Sequence, residues 1–161
     1  MLPYLPTSDS ARKNSDRHDP SKGNQSSSGL LTKNASKNNS QKRKISSYQD
    51  LLVWQKSMDL VVMSYKVVIK LPLNEQYGLS SQLRRAAGSI PANIAEGFGR
   101  WHAKDFVRFL LIANGSVKEL ETHLLIAARL GLVQRSDIEA SMRAAGEISK
   151  MIFALRDKLS K

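Results

Sequence analysis

Large apolar residues are scarce in the opening stretch of the chain and then recur every three or four positions to its end. Up to Ser47 there is little beyond Leu2, Leu5, Leu30, Leu31 and Ile45. Leu51, Trp54, Met58, Val61, Val62, Tyr65, Val68 and Ile69 then follow at helical spacing, which predicts a first helix buried along these residues. Ser47 is expected to cap it, with Asp50 nearly completing a capping box. Pro72 should end it, because the residue before a proline is pushed out of helical geometry. Asn74 is a favourable cap for a second helix, whose stripe is Leu79, Leu83, Ala86, Ala87, Ile90 and Ile94. Pro91 lies inside that stripe and removes a backbone donor, so a kink is expected there. Gly97 and Gly99 should stop the helix.

A third helix is predicted over residues 103–130, buried along Phe106, Phe109, Leu110, Ala113, Val117, Leu120, Leu124, Ala127 and Ala128. Gly131 followed by Leu132 suggests a left-handed cap with an apolar contact behind it. Ser136 and Glu139 form a capping box for a fourth helix, carrying Ile138, Met142, Ala145, Ile148, Met151, Ile152, Leu155 and Leu159. Strand-like alternation appears nowhere over a useful length. The expected fold class is therefore all-α. Four helices with short connections pack most simply as an antiparallel up-down-up-down four-helix bundle.

This patterning divides the chain. Residues 48–161 are long enough to bury a core and form the expected bundle domain. Residues 1–47 are a Ser/Asn/Lys-rich tail that cannot bury enough apolar surface to offset its chain entropy, so it is expected to be disordered. A start codon assigned upstream of the true domain accounts for this tail equally well.

The formal charge is +11 in 161 residues, with a sequence pI near 10.1. Tail and bundle are both basic, which favours polyanionic partners because bound Lys and Arg release condensed counterions. A charged surface that only confers solubility is the simpler alternative. Cysteine is absent, which excludes disulfides, thiolate zinc sites and cysteine nucleophiles. No apolar run reaches the roughly 18 residues needed to span a bilayer, and Lys66 and Lys70 interrupt the best candidate. With no signal-peptide pattern at the N-terminus, a cytoplasmic protein without membrane contact is expected.

Candidate chemistry is sparse. Arg84, Arg85, Arg100, Lys104 and Arg108 cluster around the second and third helices. With Trp101 and His102 beside them they could offer phosphate contacts and a stacking surface for an unpaired base. Ordinary ion pairing with Glu96, Asp105 and other carboxylates is the competing account. Lys42-Arg43-Lys44 at the end of the tail is a short basic motif of the same kind. The small-residue segment holding Ser89, Pro91, Asn93, Glu96 and Gly97 suggests a tight helix crossing, with Asn93 and Glu96 bonded to backbone or to an arginine. No nucleophile or base accompanies them, so no catalytic residues are assigned. Glu119, Glu121 and His123 suggest a bundle metal site. However, Glu119 and His123 stand four apart, whereas di-metal bundles use Glu and His three apart. Neither metal nor cofactor is expected. Asn114-Gly115-Ser116 matches a glycosylation acceptor but falls within a predicted helix.

One set of blocks is more specific. It begins with Tyr48-Gln49-Asp50-Leu51-Leu52-Val53-Trp54-Gln55-Lys56 and continues with Leu71-Pro72-Leu73-Asn74-Glu75-Gln76-Tyr77-Gly78-Leu79. Gln82-Leu83-Arg84-Arg85-Ala86-Ala87 and Ser89-Ile90-Pro91-Ala92-Asn93-Ile94-Ala95-Glu96-Gly97 follow. Phe106-Val107-Arg108-Phe109-Leu110, Gly115-Ser116 and Glu119-Leu120-Glu121-Thr122 complete it. In this order the blocks resemble the bacterial four-helix bundle proteins encoded in 23S rRNA intervening sequences, over residues 48–133 and more loosely through the last helix. The resemblance implies an antiparallel four-helix protomer that assembles into a ring, a homopentamer. It also implies a distant likeness to the accessory proteins of diversity-generating retroelements, basic rings that engage reverse transcriptase and RNA. The family has no established catalytic residues, so none is carried over, and the tail departs from the family pattern.

The sequence thus leads to a non-enzymatic, homo-oligomeric basic bundle that binds RNA or a nucleic-acid-handling partner. The alternative is a structural or protein–protein interaction bundle without nucleic-acid binding, such as an accessory subunit of a reverse transcriptase. A contiguous basic face favours the first and a broad apolar band the second.

Overall fold

Four long helices account for most of the chain in the computed structural model, which describes residues 45–100 and 102–161. They are α1 (Leu52–Val68), α2 (Leu79–Phe98), α3 (Ala103–Arg129) and α4 (Arg135–Leu159), with short 3-10 turns at Tyr48–Asp50 and Leu73–Glu75. Among the described residues there is no strand. The tail expected over residues 1–47 lies almost wholly outside them.

The helices occupy the corners of a square. α1 and α3 each pack against both α2 and α4, and the two diagonal pairs make no close backbone approach. Neighbours run in opposite directions. Lys56 pairs with Glu147 and Lys70 with Asp137, so rising numbers in α1 meet falling numbers in α4. Gly97 abuts Phe106 and Phe109 while Arg85 meets Glu119, which sets the same sense for α2 and α3. The core is a single cluster in which Leu60, Leu83, Ile90, Ile94, Leu110, Leu120, Leu124, Ile148 and Ile152 are fully buried.

Three of the four predicted stripes point inward. Leu79, Leu83, Ala86, Ala87, Ile90 and Ile94 are all buried in α2, and most of the α3 and α4 stripes are buried too. α1 is different. Its buried face is Val53, Ser57, Leu60, Ser64, Val67 and Val68. Met58, Val62, Tyr65 and Ile69, expected inside, are exposed. A helix with apolar residues on more than one face offers periodicity several solutions. The choice here depends on two serines. Ser57 Oγ donates to the Val53 carbonyl at 2.6 Å and Ser64 Oγ to the Leu60 carbonyl at 2.8 Å. Each hydroxyl is satisfied within its own helix, which removes most of the cost of burying it.

The helix ends also depart from expectation in detail. Ser47 and Asp50 do engage, with Gln49 N–H donating to Ser47 Oγ and Ser47 N–H to Asp50 Oδ2. They cap the 3-10 turn at Tyr48–Asp50, however, and α1 starts only at Leu52. Asn74 sits within the second 3-10 turn and does not cap α2. Glu75 Oε2 instead accepts the Leu79 N–H at 3.0 Å at the start of that helix. The α4 box lies two residues earlier than Ser136 and Glu139: Gln134 N–H donates to Asp137 Oδ2 at 2.9 Å. Aspartate reaches back as well as glutamate does, so two overlapping boxes compete in the sequence. Gly131 (φ 70°) closes α3 as expected, with Leu132 N–H on the Ala127 carbonyl and Gly131 N–H on the Ala128 carbonyl, a Schellman pair.

Asp137 also receives Lys70 from the end of α1. The Lys70 hydrogen bond first, then the Gln134 N–H, holds its carboxyl below the ordinary 3.8, against a smaller opposing effect of burial. A carboxyl with a lowered folded value contributes stability above its unfolded value and loses it as pH falls through the folded one. Asp137→Asn is therefore expected to lower the melting temperature above pH 3.8 and to converge with the parent only as the pH falls through the lower folded value. Melting curves recorded by circular dichroism between pH 2 and 7 would check this, and a constant offset across that range would contradict it.

Candidate nucleic-acid interface

The small-residue segment of α2 brings α2 and α3 close together, and the candidate cations flank that seam. A Cβ on Gly97 would lie 2.6 Å from Phe109 Cβ and 2.8 Å from Phe106 Cδ2, so only glycine permits this approach. Gly97 is thus a contact point inside α2 and not its stop; Gly99 is the C-cap. Pro91 is buried, and α2 continues through it. Asn93 Nδ2 donates to the Ser89 carbonyl at 2.7 Å, and Glu96 Oε1 accepts Arg100 Nη2 at 2.6 Å. These side chains are engaged in packing and pairing within the protomer.

The five cations of the bundle do not form one cluster. Arg84 and Arg85 sit on the first half of α2. Arg100, Lys104 and Arg108 sit at the α2–α3 turn, and the distance from Arg84 to the end of α2 at Phe98 is about 21 Å at 1.5 Å per residue. Arg84 lies over the Tyr65 ring at 6.0 Å. Arg85 is occupied by Glu119 at 3.0 Å and by Gln82 at 2.8 Å. Arg100 is shared between Glu96 and the Phe109 ring, 5.3 Å away. Among the described residues Arg84, Lys104 and Arg108 make no ion pair, and the last two stand four apart on the exposed side of α3. Lys42, Arg43, Lys44 and Trp101 lie outside the described residues.

The turn is one corner of a larger basic end. Antiparallel packing brings the start of α1, the end of α2, the start of α3 and the end of α4 together. Arg156, Lys158 and Lys161 are at that end. Arg156 is taken by Asp157 at 2.7 Å, while Lys158 and Lys161 have no carboxylate partner among the described residues. No sequence pattern pointed to these α4 residues, because their proximity to Lys104 exists only once α3 and α4 pack.

The remaining candidates resolve simply. Glu119 pairs with Arg85 and Glu121 with Lys118. His123 Nε2 stands 3.8 Å from Glu119 Oε1, and its buried Nδ1 has no hydrogen-bond partner. Among the described residues no three His, Asp or Glu side chains are arranged to hold a metal ion. Asn114 Oδ1 accepts Ser149 Oγ at 2.9 Å across α3 and α4, so its side chain is a packing group. Among the described residues no helix is long and apolar enough to cross a membrane.

With this geometry in place, comparison with known proteins is decisive for ancestry. The 23S rRNA-intervening sequence protein family matches residues 49–154. The chain belongs to that family. A crystal structure of a protein of unknown function from the S23 ribosomal protein family of Bacteroides thetaiotaomicron is similar to it, at 29% identity and a TM-score of 0.60. The alignment covers 65% of this chain and 98% of that one. No curated protein matches. The region matched by the family runs from the start of the bundle into α4 and omits the tail, the part that departs from the family's blocks.

Proposed function

We propose that this 23S rRNA-intervening sequence protein is a non-enzymatic, cytoplasmic scaffold that self-associates into a ring and binds structured RNA through the basic end of its bundle. The observation that supports the reading is a set of exposed cations at that end that make no ion pair among the described residues: Lys104 and Arg108 on α3, with Lys158 at the end of α4 and Lys161 just beyond it. Of the nearby carboxylates, Glu96 and Asp157 are already taken by Arg100 and Arg156, which leaves Asp105 in the first turn of α3 against four cations. An unneutralised cation can exchange solvent for phosphate without breaking an internal pair, and repetition around a ring multiplies each weak contact. Lys42, Arg43 and Lys44 directly precede the first described residue and would add to the same attraction. His102, exposed in the same turn, supplies a ring face suited to an unpaired base.

RNA retention should weaken steeply as salt is raised. Replacing Lys104 and Arg108 together by alanine should lower the slope of log affinity against log salt by about 1.5, at roughly 0.7–0.9 per lost phosphate contact. Filter binding with a structured ribosomal RNA fragment at several salt concentrations measures both. No retention even at low ionic strength would eliminate the reading and leave the protein-interaction bundle, which the exposed apolar face of α1 favours.

A further inference from the structure

Ser80 is only 3% exposed, yet its hydroxyl makes no hydrogen bond among the described residues. Ser57 and Ser64, also buried, turn theirs onto the carbonyl one turn back. A buried hydroxyl with no protein partner is costly unless something else bonds to it. This one is not sealed in. His123 Nδ1 is the one buried side-chain polar atom among the described residues that lacks both a partner and solvent. Ser80 opens instead onto a cleft of about 300 Å³ between the end of α1 and the start of α2.

Arg84 lines the same cleft, one turn further along α2 and so on the same side of that helix. It is half-buried, and among the described residues it makes neither an ion pair nor a hydrogen bond. Its one recorded contact is with the Tyr65 ring, 6.0 Å away. The guanidinium donors are thus without a protein acceptor. Glu75, the carboxylate nearest in sequence, is committed to the Leu79 N–H at 3.0 Å. Gln76 adds an amide to the lining. The rest of the cleft is apolar: Val68 and Leu71 are buried, while Ile69 and Leu73 are exposed along it.

We infer that this cleft binds a carboxylate carried on a compact apolar group, as in a small organic acid or the C-terminus of a polypeptide ending in an aliphatic residue. Arg84 takes both carboxylate oxygens in its planar fork. The Ser80 hydroxyl donates to one of them, and the aliphatic body packs on Val68, Leu71 and Leu73. Charge selects a carboxylate over a phosphate strand. One cation without a protein counterion matches one negative charge, whereas holding a nucleic acid takes several. Lys66 and Lys70 do not add to it, since they line a different cleft with Ser136 and Asp137 of α4. The cations of the proposed RNA surface are at the far end of α2. The inference therefore stands apart from both the RNA reading and self-association.

The test titrates N-acetylleucine into the full-length protein, followed by saturation-transfer NMR on the ligand and by calorimetry. N-acetylleucinamide, of the same shape without the charge, should bind about tenfold more weakly or worse, through loss of charge-assisted hydrogen bonds. Arg84→Gln should abolish binding. Arg84→Lys should weaken it roughly tenfold, because a point charge replaces the fork. Ser80→Ala removes a buried hydroxyl without a protein partner, so it keeps the fold, and it should weaken binding by roughly fivefold. Circular dichroism melts establish that each variant is folded. A tetrapeptide ending in a free leucine carboxylate that binds more tightly than N-acetylleucine points to a polypeptide terminus as the source; equal affinity points to a free acid. RNA retention should be the same in Arg84→Gln as in the parent. No saturation transfer to N-acetylleucine, equal binding of acid and amide, stronger binding of inorganic phosphate, or parent-like binding by Arg84→Gln would each overturn the inference.

Discussion

Gly97→Val should destabilise the bundle by about 3 kcal/mol, the upper part of the range for overpacking a close-packed site. The added Cβ would stand 2.6 Å from Phe109 Cβ. That atom is fixed to the α3 backbone and cannot rotate away, so α2 and α3 must separate. A melting temperature lower by roughly 10 °C is expected for a domain of this size. Gly97→Ala should fall between parent and Val, because the same clash is partly offset by the better helix propensity of alanine, about 1 kcal/mol. Gly88→Ala in the same helix has the opposite sign. No protomer atom lies within 4 Å of its Cβ position, so it should raise stability by roughly 0.5–1 kcal/mol. Thermal melts of the three variants under identical conditions decide the matter, and equal shifts for Gly88→Ala and Gly97→Ala would refute the close approach of α2 and α3.

Leu60→Ala should cost about 2–5 kcal/mol, the usual range for truncating a fully enclosed leucine, since Leu60 has no exposed surface. Two residues along, Val62→Ala should stay within roughly 0.5 kcal/mol in the dissociated protomer, as surface substitutions do. Urea unfolding measured below the concentration at which copies associate separates the two. A larger loss for Val62→Ala would mean that α1 is rotated about its axis, with its exposed apolar face inside the bundle and the serines in water.

These pairs mark where pattern alone suffices. On α2, wide polar positions such as Arg85 and Glu96 alternate with Leu83, Ile90 and Ile94, so the inward face is unambiguous and every residue of the predicted stripe is buried. Gly131 is equally legible, because a glycine followed by Leu132 at the end of an apolar stripe has one favourable geometry. On α1, Val53, Leu60 and Val67 compete with Met58, Val62 and Tyr65 for the core, and periodicity favours whichever set is larger. The buried set wins through Ser57 and Ser64, whose hydroxyls bond to carbonyls one turn back. Spacing of seven between those serines, with Leu60 between them, was the available signal.

The candidate cations show the same division. Their number and sign are properties of composition, and so is the expectation of a polyanionic partner. Which of them remain free is not. Arg85 loses its freedom to Glu119, thirty-four positions away, while Lys104 and Arg108 keep theirs. Lys158 becomes their neighbour only because α4 returns to the end where α3 begins.

By itself the sequence determined the all-helical class, three of the four inward faces and the family, since each rests on local spacing or on an ordered set of short blocks. The tertiary structure decided the rotation of α1, the glycine-tight seam between α2 and α3, and which charges face water. Those depend on distances between residues far apart in the chain, and helical periodicity carries no information about what lies across the core.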